Sequence, residues 1–289
     1  MFYRYILIGI LIGFLASRSG SAEEPTYDVR GPALKPGFSF RASSEGTAKG
    51  MQVSYRSEGM LLHEMKIDVE PKREVEVTIE AADDRKITKL RSRVINDERT
   101  FTTMRGDEEH IDLKVDALVG RIVVSEQGKT GWTHRLAEGK PTEAEAESLK
   151  DHPSPHGEDY MPKERVKIGA TWKVPPELVA RLYAGENDLK AKGDVTSKLV
   201  EVRPHEGEMC AVIRTDGSVR GTFKREGKEA SFELDYEDTE FRSLRHHVAL
   251  KSESQCLATI TSPVSAGGAT MDQTIQGTMK SVHLVKVLK

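Results

Sequence analysis

Apolar side chains recur at every second position through most of this chain, and that period limits what the chain can build. In the run Leu61, His63, Met65, Ile67, Val69, the mostly apolar positions alternate with Glu64, Lys66, Asp68 and Glu70. In the run Val75, Val77, Ile79, Ala81, the residues between are Glu76, Thr78 and Glu80. Residues two apart share a face of a pleated strand, so each run buries one side and wets the other. Antiparallel sheet tolerates a face in water, whereas parallel sheet is covered on both sides and reads as unbroken apolar runs. The expectation is therefore a mainly β fold built from antiparallel strands.

Punctuation along the chain refines this. Residues 23–36 form an irregular entry segment, marked by Pro25, Gly31-Pro32 and Pro36-Gly37. Turns are predicted at Pro71-Lys72-Arg73, Ala82-Asp83-Asp84 and Gln127-Gly128-Lys129, with a break at Gly120 inside the run 111–124. Thr142 followed three residues later by Glu145 is a capping box, in which hydroxyl and carboxylate satisfy otherwise unpaired backbone N–H groups. It predicts a short helix over Glu143–Lys150, stopped by Pro153-Ser154-Pro155. A second helix opens at Pro176, carries the stripe Leu178, Val179, Leu182, Tyr183 and ends at Gly185. Between the helices, residues 165–174 read as one strand bent at Gly169. Period two then returns, with strand candidates at 195–202, 209–214, 219–223, 232–236, 248–250, 257–261 and 281–288. Thr215-Asp216-Gly217-Ser218 reads as an Asp-Gly hairpin turn and Arg225-Glu226-Gly227-Lys228 as a second. At roughly 100–200 residues per domain, 289 residues suit a single β-rich domain over 37–289, or halves at 37–140 and 160–289 joined by a helical link.

The first 22 residues carry an address. Arg4 sits in a short n-region, Ile6 to Ala16 form an apolar core, and Gly20-Ser21-Ala22 supplies small residues for cleavage after Ala22. The apolar run falls short of the ~20 residues needed to span a bilayer, so the expectation is export, to a periplasm or beyond the cell, with no retained membrane span. Net charge is −3, with both signs mixed throughout. No basic face for nucleic acid or polybasic membrane patch stands out.

In an exported protein, Cys210 and Cys256 permit one disulfide; the other reading is two buried thiols acting as small apolar residues. Asp151, His152, His156, Glu158 and Asp159 crowd one segment, but Pro153 and Pro155 deny them the helical spacing of a metal site. His246 and His247 point to opposite faces of a strand. No Gly-x-Ser-x-Gly elbow is present, and no cofactor motif is found. Trp132 and Trp172, the two tryptophans, read either as walls of a ligand groove or as core anchors where helices pack on the sheet.

Leu118-Val119-Gly120-Arg121, Trp132, Gly139-Lys140-Pro141, Met161-Pro162 and Val166-Lys167-Ile168-Gly169-Ala170-Thr171-Trp172 together resemble a group of exported bacterial β-sheet proteins of unassigned function. Their recurring block is Leu-Pro, a few residues, then Val-Lys-Val-Gly-Asp-Thr-Trp; this chain departs from it at Met161, Ile168 and Ala170. Those proteins are similar in architecture to periplasmic lipoprotein carriers and lipid-binding lipoproteins, which fold as an unclosed barrel with helices on its concave side. The resemblance implies an apolar groove and brings no catalytic residues with it.

The fold expected is mainly β: a large curved antiparallel sheet, unclosed-barrel-like or as two packed β halves, with two short helices in the middle of the chain. The function expected is an exported, non-catalytic β-sheet protein binding an apolar small molecule in a concave sheet. The alternative is an envelope structural or protein-interaction module, with a hydrolase a distant third.

Overall fold

The long strands begin and finish in the middle of one sheet. The fold is seen in a computed structural model that describes residues 24–105, 108–129, 131–150, 152–153, 160–184, 188–225, 227–246, 248–266 and 269–288. The predicted leader, with Ala22, lies outside the described residues. In chain order the elements are β1 (Thr26–Tyr27), β2 (Ser39–Ser57), β3 (Met60–Asp83), β4 (Lys86–Arg105), β5 (Glu108–Val115), β6 (Ile122–Gly128) and β7 (Gly131–Leu136). Then come α1 (Glu143–Lys150), β8 (Val166–Lys167), β9 (Thr171–Val174) and α2 (Pro176–Ala184). The second half is β10 (Lys190–His205), β11 (Glu208–Arg225), β12 (Lys228–Ser243), β13 (Ala249–Ala266) and β14 (Ala269–Val287).

β2 and β14 are antiparallel neighbours, with Phe40 opposite Val287 and Arg56 opposite Asp272. From this seam β3, β4, β6 and β7 extend one way, and β13, β12, β11, β10 and β9 the other. β5 and β6 share the far edge of β4, β6 along residues 89–93 and β5 along residues 98–105. The two ends, β7 and β9, are not joined, so the sheet stays open. Both predicted halves thus contribute to one antiparallel sheet, while β1 and β8 form a separate two-residue ladder.

The strands are longer than the sequence punctuation implies, and two predicted turns are strand instead. Pro71-Lys72-Arg73 lies inside β3, which runs 24 residues. A proline within a strand forfeits a ladder hydrogen bond, and here its ring lies over Gly46, where an added Cβ would stand 2.9 Å from Pro71 Cγ. Thr215-Asp216-Gly217-Ser218 lies inside β11, so 209–214 and 219–223 are one strand. Gly217 is there because β10 comes close: an added Cβ would meet Asp194 O at 2.2 Å. The turns at Asp83-Asp84 and Gly128 form as predicted. Gly169, at φ 89°, splits the predicted strand 165–174 into β8, which serves β1, and β9, which serves β10.

Both predicted helices form. Thr142 N donates to Glu145 Oε2 at 2.7 Å, and Glu145 N donates to Thr142 Oγ1 at 3.2 Å, which is the reciprocal cap. Leu149 of α1 packs with Val94, Leu118, Val123 and Leu136. Val179 and Ala180 of α2 join Val195, Val219, Phe223, Phe232 and Leu234 beneath them. Each such aliphatic or aromatic side chain, fully buried, contributes about 1.5–3 kcal/mol. The helices therefore lie over opposite ends of the same sheet face.

Candidate functional site

β12 is where the alternating pattern changes its chemistry without changing its phase. Along the helix-bearing face, Ala230, Phe232, Leu234 and Tyr236 are followed in step by Asp238, Glu240 and Arg242. These charged residues are only 8%, 7% and 2% exposed. Register carries the polarity sideways: Ser197, Thr215, Asp238, Ser254 and Ser281 stand abreast on five adjacent strands. A second row continues from Glu240 through Ser252, His283, Ser44 and Arg73 to Asp97. A polar band thus crosses the face between the two helices.

The band is bonded internally. Arg242 Nη1 donates to Glu240 Oε1 at 2.9 Å, and Tyr160 OH donates to Glu240 Oε2 at 3.3 Å. Ser252 Oγ donates to Asp238 Oδ1 at 2.7 Å, and the Ser197 and Thr215 hydroxyls meet at 2.6 Å. No lysine, arginine or histidine among the described residues forms an ion pair with Asp238. Burial raises its carboxyl to about 6, with the Ser252 bond opposing. Burial also raises Glu240, with Asp238 adding to it, and lowers Arg242. Their direct contact favours the charged form of each. Tyr160 is raised by burial and then by Glu240 and Asp238, so its hydroxyl stays a donor.

Above this floor lies a cavity of about 400 Å³, walled by Val174, Leu178, Val179 and Leu182 on one side and by Val248 and Val285 on the other. A second cavity of about 560 Å³ opens between α1 and strands β3 to β5, with the Arg73–Asp97 ion pair at 3.2 Å on its wall. Burial raises Asp97 and lowers Arg73, and each charge offsets the other's shift. His152, also on that wall, is pushed down to about 4 by burial, with Arg73 and His134 adding.

The site residues singled out from sequence fall outside the cavity over β12. Cys210 pairs in register with Ser243 and Cys256 with Tyr236, seven positions apart on β12 and on opposite faces of the sheet. At ~3.3 Å per residue their Cα atoms stand far beyond the ~7 Å a disulfide allows. Of the two readings, the bridge does not form and the buried thiols are what the structure shows. Trp172 packs between two core clusters at the edge strand β9, its Nε1 buried with no acceptor among the described residues. Trp132, opposite Gln127 on β7, belongs to neither cavity lining. His152 touches Ser92 at 3.4 Å and packs edge-on against His134, while Asp151, His156, Glu158 and Asp159 lie outside the described residues, as does His247. Among the described residues, no three His, Cys, Asp or Glu side chains are grouped to hold a metal. Ser125 Oγ lies 2.9 Å from His134 Nδ1, with Ser125 fully buried.

Tyr160, Asp238, Glu240 and Arg242 were not foreseen. The signal was present as parity: from Phe232 onward every even residue of β12 faces the helices, so charges at 238, 240 and 242 occupy core positions.

No family model matches the chain, and no curated protein does. Among solved structures it is similar to an outer membrane channel from Pseudomonas putida F1, at 9% identity and TM-score 0.28, over 89% of this chain and 97% of that one. It is also similar to the outer membrane protein OprG from Pseudomonas aeruginosa, at 7% identity and TM-score 0.20, over 90% and 99%. With likeness that slight, the chain's role has to be read from its own cavity.

Proposed function

We propose that this chain is an exported, non-catalytic β-sheet protein that holds an apolar small molecule between α2 and its sheet. The observation carrying this reading is the cavity over β12, at about 400 Å³ within the ~300–1,000 Å³ of small-molecule sites. Aliphatic side chains wall it, and its polar side chains converge on the floor supplied by β12. Export rests on the leader ending at Ala22, and the groove implied by the resemblance around residues 118–175 points the same way. The test is lipid extraction and mass spectrometry of protein purified from its native envelope, beside titration with a neutral apolar fluorophore. A co-purifying molecule, or saturable fluorophore binding abolished by Leu178→Trp, is the expected result. Repeated recovery of empty protein that binds no fluorophore overturns the reading.

A second reading, an envelope interaction module, is favoured by edge strand β5. All eight of its residues are exposed, and Ile111, Leu113 and Val115 form an apolar row on one face. An unpaired edge of this kind is a template for an added strand. Crosslinking in native envelopes separates the two: a stoichiometric protein partner captured through β5 favours the module.

A further inference from the structure

The floor of the cavity over β12 carries a charge that no described residue answers with an ion pair. Glu240 has Arg242 at 2.9 Å and the Tyr160 hydroxyl at 3.3 Å, so its charge and its second oxygen are both met. Asp238, on the same face, has one hydroxyl, from Ser252, and forms no ion pair among the described residues. Among the described lining residues Arg242 is the lone lysine or arginine, and it is committed to Glu240. An uncompensated carboxylate in an apolar pocket is costly unless something supplies a cation. The apolar walls, Leu178, Leu182, Val248 and Val285, stand beside that carboxylate in the same cavity. Leu182, 59% exposed, marks the side open to solvent.

We propose that the cavity takes an amphipathic cation, an alkylammonium whose headgroup pairs with Asp238 while its chain lies along Leu178, Leu182, Val248 and Val285. This rests on the cavity being a small-molecule site, as argued above, and adds the chemical class of its occupant. A primary ammonium suits the position because it donates several hydrogen bonds in free directions, and Asp238 has acceptor capacity left after Ser252. An alkyl carboxylate would meet Asp238 as a like charge. A neutral alcohol would make one hydrogen bond and leave the carboxylate without a counter-charge. The charge therefore sets selectivity, and the aliphatic walls set affinity.

The test is isothermal titration of the purified protein with three probes of equal chain length: octylammonium, 1-octanol and octanoate. Octylammonium is expected to bind at least tenfold tighter than 1-octanol, with octanoate weakest. Asp238→Asn is expected to bring octylammonium down to the level of 1-octanol while leaving 1-octanol unchanged. His283→Lys, at an exposed position on the cavity rim, places a fixed ammonium nearby; it is expected to weaken octylammonium about tenfold and to strengthen octanoate. Equal binding of octylammonium and 1-octanol, or a preference that survives both substitutions, overturns the assignment while the cavity remains a binding site. Failure of all three probes to bind overturns the cavity reading and the assignment together.

Discussion

Glu240 and Arg242 stand two residues apart on one strand, and because both point to the helix-bearing face they close a salt bridge of 2.9 Å that is almost wholly out of water. A buried pair of this kind adds little over apolar side chains of the same volume, yet removing one partner strands the other at a cost of about 3–5 kcal/mol. Arg242→Met is expected to lose stability in that range. The double variant Glu240→Leu with Arg242→Met should recover most of the loss. Urea unfolding of the four forms of the cycle measures the coupling; additive losses would contradict the pairing.

The carboxyl of Asp238 contributes to stability with a definite sign. Burial raises it to about 6, against ~3.9 in an unfolded chain. Between those values the folded state keeps a proton that the unfolded state has released. Stability from this group is therefore full below about pH 4 and falls as pH climbs through about 6, by roughly 3 kcal/mol. Asp238→Asn should exceed the wild type in unfolding free energy at pH 7 by about that amount and match it near pH 4.

His152 acts in the opposite direction. Its ring is pushed down to about 4 from an ordinary ~6.5, so between these values the unfolded chain binds a proton that the folded chain refuses. Its contribution is lost as pH falls through that window, again by roughly 3 kcal/mol. The stability difference between wild type and His152→Asn should therefore shift in favour of the wild type from pH 4 to pH 6.5. Chemical denaturation at several pH values gives the slope directly.

Gly217 offers a test of the close strand approach. An added Cβ would stand 2.2 Å from Asp194 O and 2.6 Å from Val195 Cα, both backbone atoms that cannot step aside. Gly217→Ala should cost about 3 kcal/mol, at the upper end of overpacking. Gly59→Ala, at a turn with open space and φ +81°, should cost ~1–2 kcal/mol from backbone conformation alone. Paired melting curves distinguish a steric cause from a conformational one.

With Cys210 and Cys256 on opposite faces, reduction should leave the unfolding midpoint unchanged. Denatured protein should titrate as two thiols per chain without prior reductant. One disulfide recovered by peptide mapping would contradict the register of β12.

What sequence reading captured and missed divides along physical lines. The helix over Glu143–Lys150 was legible because a cap is local: Thr142 and Glu145 carry the whole signal within four residues. Strand continuity was not. Pro71 and Gly217 look like turn residues in isolation, and only the neighbouring strands, at Gly46 and at Asp194, explain why they lie within strands. The sequence left the disulfide and the buried thiols both open for a related reason, since a tally of cysteines holds no information about which face each occupies. The charged floor at Asp238, Glu240 and Arg242 was readable in principle from parity along β12. It stayed hidden because charges on a strand are ordinarily solvent-facing, and only burial distinguishes these.

The seam between β2 and β14 has a consequence for how the chain matures. Its paired residues are separated by 216 (Arg56 and Asp272) to 247 (Phe40 and Val287) positions of sequence, the kind of distant closure that slows folding. During synthesis the earliest long strand waits with one edge bare until the last has emerged. A chain cut short before residue 269 would be left with two raw borders in mid-sheet, each able to recruit a stranger, so the tail of this polypeptide is its zip fastener.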